Sequence, residues 1–231
     1  MRVRKLVIWM AALWACGCGS EEPVGPGGDD TPLASRYLPM KVGATWVYRK
    51  TDVNTHQVGD RTTTVVDFVD VGASHPGKQA FRVRTEHLDG WSMYWQGYQG
   101  AISVRYRSDD FDLGNAMVDS QLHVPYRLKL DESAAHMAPG ANYAEAFDDT
   151  TTDSTGTETK PKVAAWSVIS VSEHVDVPAG SFDNVLHVRR VNTEDATPKQ
   201  KDYWYVRGVG KVKEVGDDQI EELVSWSLPP E

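Results

Sequence analysis

Cysteine is nearly missing from this sequence. Cys16 and Cys18 are the two among 231 residues, and both lie near the start. No disulfide can staple the rest of the chain, so its fold must stand on burial. Also lacking is an apolar run that could cross a bilayer as a helix, which takes about 20 residues. Leu6 to Ala15 (LVIWMAALWA) is the longest, at ten. Positive charge is in deficit: the formal net charge is −9, which removes the electrostatic route to nucleic acid. Helical periodicity is absent from every window of about 11–18 residues. Catalytic signatures are lacking as well. There is no phosphate-cradling G-x-x-x-x-G-K-[ST], no G-x-G-x-x-G after a strand and no H-E-x-x-H. Gly180-Ser181 lacks the flanks of a nucleophile elbow. No enzymatic activity and no cofactor are expected.

What the chain does have begins with an address. Arg2, Arg4 and Lys5 precede the apolar run, as in a cleaved signal peptide. The run ends in Leu13-Trp14-Ala15-Cys16, which resembles a bacterial lipobox, with Cys16 as the lipidated residue. Ala15-Cys16-Gly17-Cys18 is a second register, with Cys18 modified instead; an ordinary secretory signal is the third reading. A triacyl anchor buries dozens of methylenes at about 0.8 kcal/mol each, so attachment is effectively permanent. By the same resemblance, Gly17 or Gly19 after the lipidated cysteine implies the outer membrane. Residues 1–18 are thus read as signal and lipobox. Residues 19–36, rich in glycine, proline and acid, are read as a tether. Its ends lie about 25 Å apart on average if it is a flexible coil. Residues 37–231 remain, about 190 residues, enough for one domain with a real core.

Within that domain the period is two almost throughout. Trp46 and Tyr48 share one face of the first strand. Phe81 and Val83 oppose Arg82, Arg84 and Glu86. Ile102, Val104 and Tyr106 alternate with Ser103, Arg105 and Arg107, which reads as apolar inward and polar outward. Leu122 to Leu130 alternates most cleanly, with His123, Pro125, Arg127 and Lys129 on its polar face. Pro125 lacks an amide donor, which suggests a sheet edge or a bulge. Ser108 to Gln121 is less regular, with room for a short helical turn. Asp148 to Lys160 holds no apolar residue and reads as the solvated tip of a hairpin. Tyr203 to Val215 (YWYVRGVGKVKEV) reads as two strands joined through Gly208-Val209-Gly210. Turn signals such as Pro76-Gly77, Asp89-Gly90 and Gln99-Gly100 separate the runs. The expected fold is all-β: a curved antiparallel sheet or half-barrel of about ten strands, with little or no helix beyond the signal.

Three stretches carry a family resemblance. Tyr37-Leu38-Pro39-Met40 leading into Val42-Gly43-Ala44-Thr45-Trp46-Val47-Tyr48 is similar to the opening of many bacterial lipoproteins. Val177-Pro178-Ala179-Gly180-Ser181-Phe182-Asp183-Asn184-Val185 resembles their second marker. Tyr203-Trp204-Tyr205 with Gly208-Val209-Gly210 and Val212-Lys213 resembles their third. The resemblance implies the half-barrel of the lipoprotein-carrier (Lol) proteins, a curved sheet with a concave apolar face. It supplies no catalytic residues.

The remaining candidates are weighed on their residues. Trp91, Met93 and Trp95 share one side of a strand, and Tyr94 and Tyr98 the other. Such a strand needs cover on both faces, and these five are the candidate lining of a groove for an apolar small molecule or lipid. The alternative is an envelope protein as partner, docked on an exposed sheet edge such as Leu122–Leu130. His174 and Asp176, with His187 on the neighbouring strand, are the best metal candidates, but two ligands do not make a site. Asp148, Asp149 and Asp153 lack the spacing of a calcium loop. The membrane, through a covalent lipid anchor, is the one constant partner expected.

Overall fold

The computed structural model describes residues 31–72, 75–194 and 197–230. Twelve strands follow one another in sequence. The first six are β1 (Thr45–Asp52), β2 (Val58–Gly72), β3 (His75–His87), β4 (Gly90–Gln99), β5 (Ile102–Asp112) and β6 (Met117–Asp131). Then come β7 (Asn142–Asp153), β8 (Gly156–Val177), β9 (Gly180–Asn192), β10 (Gln200–Val206), β11 (Gly210–Gly216) and β12 (Gln219–Ser227). Two short 3-10 turns, Leu33–Ser35 and Ala134–His136, are the helical structure among the described residues.

Each strand pairs antiparallel with its neighbours in sequence, and β12 pairs with β1. The sheet therefore closes into an up-and-down barrel. This corrects the half-barrel expectation. Trp46 sits opposite Trp226 and Asp52 opposite Gln219, so the first and last strands seal the ring along the length of β1. Closure saturates the edges that an open sheet would expose. The edge expected at Leu122–Leu130 is only half present, its ladder to β7 ending just before Pro125. β6 pairs with β5 on one side, and on the other pairs with β7 from Asp119 to Val124.

The strand count rises from about ten to twelve for two local reasons. Ser108 to Gln121 holds no helical turn: β5 runs on to Asp112 and β6 starts at Met117. The polar stretch around Asp148–Lys160 is the outer half of a long β7–β8 hairpin, paired from Asn142↔Ser167 to Asp153↔Gly156. Threonines facing each other across it bond directly, Thr150 to Thr159 at 2.8 Å and Thr152 to Thr157 at 2.9 Å. Such cross-strand pairs favour extended structure without apolar burial.

Two ladders break off short. The β6–β7 ladder stops at Val124↔Asp148. Beyond it the wall is held by a side chain: the Leu128 amide donates to Glu145 Oε2 at 2.7 Å. The β11–β12 ladder is only three pairs long, from Lys213↔Glu222 to Val215↔Ile220. There the turn between β8 and β9 crosses over, and the Ala179 amide bonds the Leu223 carbonyl at 2.9 Å.

One end of the barrel is closed by the segment entering it. Met40 N donates to the Tyr98 hydroxyl at 2.7 Å, and that hydroxyl donates to the Leu38 carbonyl at 2.6 Å. Arg36 is buried, its guanidinium 3.8 Å over the Tyr98 ring. Gly208 makes this docking feasible. Its φ is +69°, its amide bonds the Arg36 carbonyl, and a Cβ there would lie 3.0 Å from the Ala34 carbonyl oxygen.

Candidate functional site

The interior of the barrel is divided. Against β7 to β9 it is filled: Trp166, Val168, Leu186 and Val188 are buried with Leu130, Tyr203 and Tyr205. Against the other nine strands it is a cavity of about 300 Å³. The lining follows the two-residue period of each strand: Trp46 and Tyr48, then Arg61, Thr63 and Val65, then Val83 and Thr85, then Tyr94 and Gln96. Leu38, Pro39 and Met40 form its floor at the closed end.

The charge inside runs against the charge of the chain. Arg61, Arg105, Arg127, Lys129, Lys201 and Lys211 line the cavity, against two acids, Glu214 and Glu221. A protein of net charge −9 thus encloses a cationic lumen.

The two acids are directly opposite each other on β11 and β12. Like charges facing across a ladder repel, and here three cations answer them. Lys211 Nζ donates to both carboxylates, at 2.6 Å to Glu221. Lys201 reaches Glu214 at 3.0 Å, and Arg61 bonds Glu221. Gln219 donates to both, at 3.0 and 3.3 Å. Burial opposes ionisation of the glutamates, but these cations hold Glu214 well below the usual carboxylate range and Glu221 below it. Burial also works against the charge on Lys211, yet Glu214 and Glu221 raise it above the lysine range.

Across the cavity the situation is reversed. Arg105 on β5 stands opposite Arg127 on β6. Lys129 is next but one along, in a bulge between Leu128 and Leu130. None of the three forms an ion pair among the described residues. Arg105 lies 3.7 Å over the Tyr94 ring, and its Nε is buried without a partner. Burial, with Arg127 and Arg61 nearby, pushes Arg105 down to about 10. Burial, then Arg105, Arg127 and Lys211, pushes Lys129 well below the lysine range. The surface these groups retain faces the cavity.

The five residues expected to line a groove are separated by the sheet. Tyr94 faces the cavity. Tyr98 grips the entering segment. Trp91, Met93 and Trp95 are on the other face. Trp91 stacks on Phe111 at 3.9 Å and donates to Asn115 Oδ1 at 2.9 Å. Trp95 packs with Val71, Ala80, Val104 and Tyr106, and Met93 against them. The turn end of β2–β3 helps to cover this patch, with His75 Nε2 at 2.8 Å from the Pro125 carbonyl.

Arg105, Arg127 and Lys129 were the residues that alternation alone sends outward. Bulges in the β4–β5 and β5–β6 ladders, at Trp95/Gln96 and Arg105/Arg107, change which residues share a face. The usable signal was the opposite set: Val104 and Tyr106 are buried on the face away from the cavity.

The metal candidates do not converge. His174 faces Asp183 at 2.7 Å and Asp176 at 3.3 Å on the exposed surface. His187 sits elsewhere, between Glu173 at 2.8 Å and Asp202 at 2.7 Å. Among the described residues no group of three or more His, Cys, Asp or Glu is arranged to hold a metal. Asp149 lies 3.2 Å from the buried His123, and Asp153 caps the turn at Thr155 at 2.7 Å. Ser181 donates to Asp176 at 2.5 Å, not to a histidine. Cys16 and Cys18 lie outside the described residues.

No family model matches this chain, and no curated protein matches it. Two solved structures are similar. A candidate lipoprotein from Parabacteroides distasonis is 12% identical with a TM-score of 0.44, over 84% of this chain and 99% of that one. A candidate exported protein with a YmcC-like fold from Bacteroides fragilis is 9% identical with a TM-score of 0.43, over 84% of this chain and 100% of that one. Similarities this remote carry no argument about what this chain does. The lipoprotein-carrier half-barrel implied by the three markers is not among them.

Proposed function

We propose that this chain is a lipid-anchored protein of the outer membrane that binds a small ligand inside its barrel and catalyses no reaction. The observation that carries the binding reading is the cavity. Small-molecule sites are enclosed spaces of about 300–1,000 Å³ with an apolar wall and a few convergent polar groups. This one joins Met40, Trp46, Val65 and Val83 to Arg61, Tyr94, Arg105 and Lys129. A ligand there would fill the part of the interior that side chains leave empty, as one small ligand does in eight-stranded barrels. The anchoring reading rests on the basic start, the ten-residue apolar run and the lipobox-like Leu13-Trp14-Ala15-Cys16.

Native mass spectrometry of the chain purified from a bacterium tests the binding reading. A bound mass that is lost on denaturation is expected, and its identity names the ligand. A bare polypeptide, unchanged after incubation with envelope lipids, would reject the reading and turn attention to a protein partner. For the anchor, Cys16→Ser is expected to move the protein from the membrane fraction to the soluble fraction. Retention with lipid still attached would place the anchor on Cys18.

A further inference from the structure

The two sides of the cavity pose the same electrostatic problem and solve it differently. Glu214 and Glu221 face each other across one ladder, and Lys211, Lys201 and Arg61 neutralise them. Arg105 and Arg127 face each other across another, with Lys129 beside them, and no carboxylate neutralises these three among the described residues. Cross-strand like charges destabilise a sheet, and a half-buried cation without a partner still gives up part of its hydration. The chain itself has 33 acidic residues, so acid is not scarce. It is absent from one place, the β5–β6 side of the lumen.

From this geometry we infer that the lumen binds an anionic amphiphile, a molecule with a phosphate or carboxylate headgroup on a short apolar body. The inference rests on the lumenal-binding reading above and names its ligand class. The headgroup sits against Arg105, Arg127 and Lys129. Two guanidinium groups present planar forks of N–H donors that match carboxylate and phosphate oxygens, and Lys129 adds a point charge. Arg105 is already positioned by the Tyr94 ring at 3.7 Å, and its buried Nε–H lacks an acceptor. Gln96, opposite Arg105 across the β4–β5 ladder, adds a neutral polar group, and Thr63 and Thr85, 3.1 Å apart, add two more elsewhere in the lining. The apolar body lies toward Met40, Trp46, Val65 and Val83, at the closed end. The anion completes the charge balance of the lumen and favours the charged form of Lys129, which burial and its cationic neighbours oppose.

The test uses the full chain carrying Cys16→Ser and Cys18→Ser, so that no attached acyl group competes for the lumen. Octyl phosphate, octanoate, octanol and inorganic phosphate are titrated by calorimetry into this protein and into its Lys129→Met and Arg127→Gln versions. Octyl phosphate and octanoate are expected to bind at least about tenfold more tightly than octanol, and each substitution to weaken them by about tenfold or more. Octanol binding should be unchanged by either. Lys129→Met removes a half-buried cation that lacks an ion-pair partner and sits beside two arginines, so its thermal midpoint is expected to rise, which separates lost binding from lost folding. Octanol binding as tightly as the two anions, or either folded variant binding them unchanged, overturns the anion while leaving lumenal binding in place. Inorganic phosphate binding as tightly as octyl phosphate overturns the amphiphile. If none of the four binds, lumenal binding itself falls.

Discussion

Replacing Lys211 with methionine lowers the free energy of unfolding by about 3–5 kcal/mol at neutral pH. Among the described residues, Lys211 is the one cation that bonds both Glu214 and Glu221, whose side chains are 8% and 1% exposed. Without it the two carboxylates still face each other across the β11–β12 ladder, and Lys201 and Arg61 can each serve only one. Removing one member of a buried charge cluster leaves the others desolvated and uncompensated, which is why the loss is large. The pH dependence has a definite sign. The glutamates are depressed below their ordinary 4.5, so their contribution is complete above that pH and is lost as the pH falls through their folded values. Lys211 is raised above 10.5, so its contribution is complete below that pH and is lost as the pH rises through its folded value. The gap between wild type and variant should therefore be widest from about pH 5 to 10 and narrow in acid. Urea titrations at pH 7 and pH 3 check this. A gap under about 1 kcal/mol at pH 7 would mean that solvent reaches the pair and screens it.

Trp166→Ala is expected to cost about 3–5 kcal/mol, through lost burial and the void left behind. Trp166 is 1% exposed and stands between two tyrosine rings, Tyr143 at 6.1 Å and Tyr203 at 6.0 Å. It fills the half of the barrel interior that the cavity does not occupy, so its removal also enlarges the lumen. Trp166→Phe should cost far less. It keeps an aromatic ring in the stack and deletes the indole N–H, which is buried without a hydrogen-bond acceptor. Chemical denaturation of both variants decides the matter. Equal losses would show that the indole edge, not the ring stack, holds this side together.

Much of this molecule was legible in the residues themselves. The alternation around Trp46, Phe81 and Val83, the turns at Asp89-Gly90 and Gln99-Gly100, and the hairpin through Gly208 and Gly210 appear where the period of two and the turn chemistry put them; Pro76-Gly77 does not make a turn but lies inside β3, whose first residue His75 already pairs with Gly72. The ring was not legible, because it depends on β1 meeting β12. No local pattern encodes that pairing, and nothing in Ile220–Leu228 distinguishes a free last strand from a sealing one. Orientation was harder still. Alternation divides a strand into two faces without saying which one looks into the lumen. Val104 and Tyr106 seemed the inward set because they are apolar, yet in a wall covered on both sides their cluster lies behind it and Arg105 lies in front. The bulges at Trp95/Gln96 and Arg105/Arg107 compound this, since a one-residue slip reverses every later side chain. The same reasoning sent Arg127 and Lys129 to solvent.

The joining of β1 to β12 also sets the order of events in assembly. Eleven of the twelve strand contacts join neighbours in sequence and can form as each hairpin is made; the twelfth joins the two ends of the domain. Contacts this distant in sequence carry the largest loop-closure cost and form slowly. The ring stays unsealed until β12 meets β1. Until then β1 and the strand at the other end of the open sheet each keep one edge unpaired, as templates for pairing with another chain. The vulnerable species is thus the barrel before β12 has docked, and that nine-residue strand, Gln219–Ser227, ends the exposure.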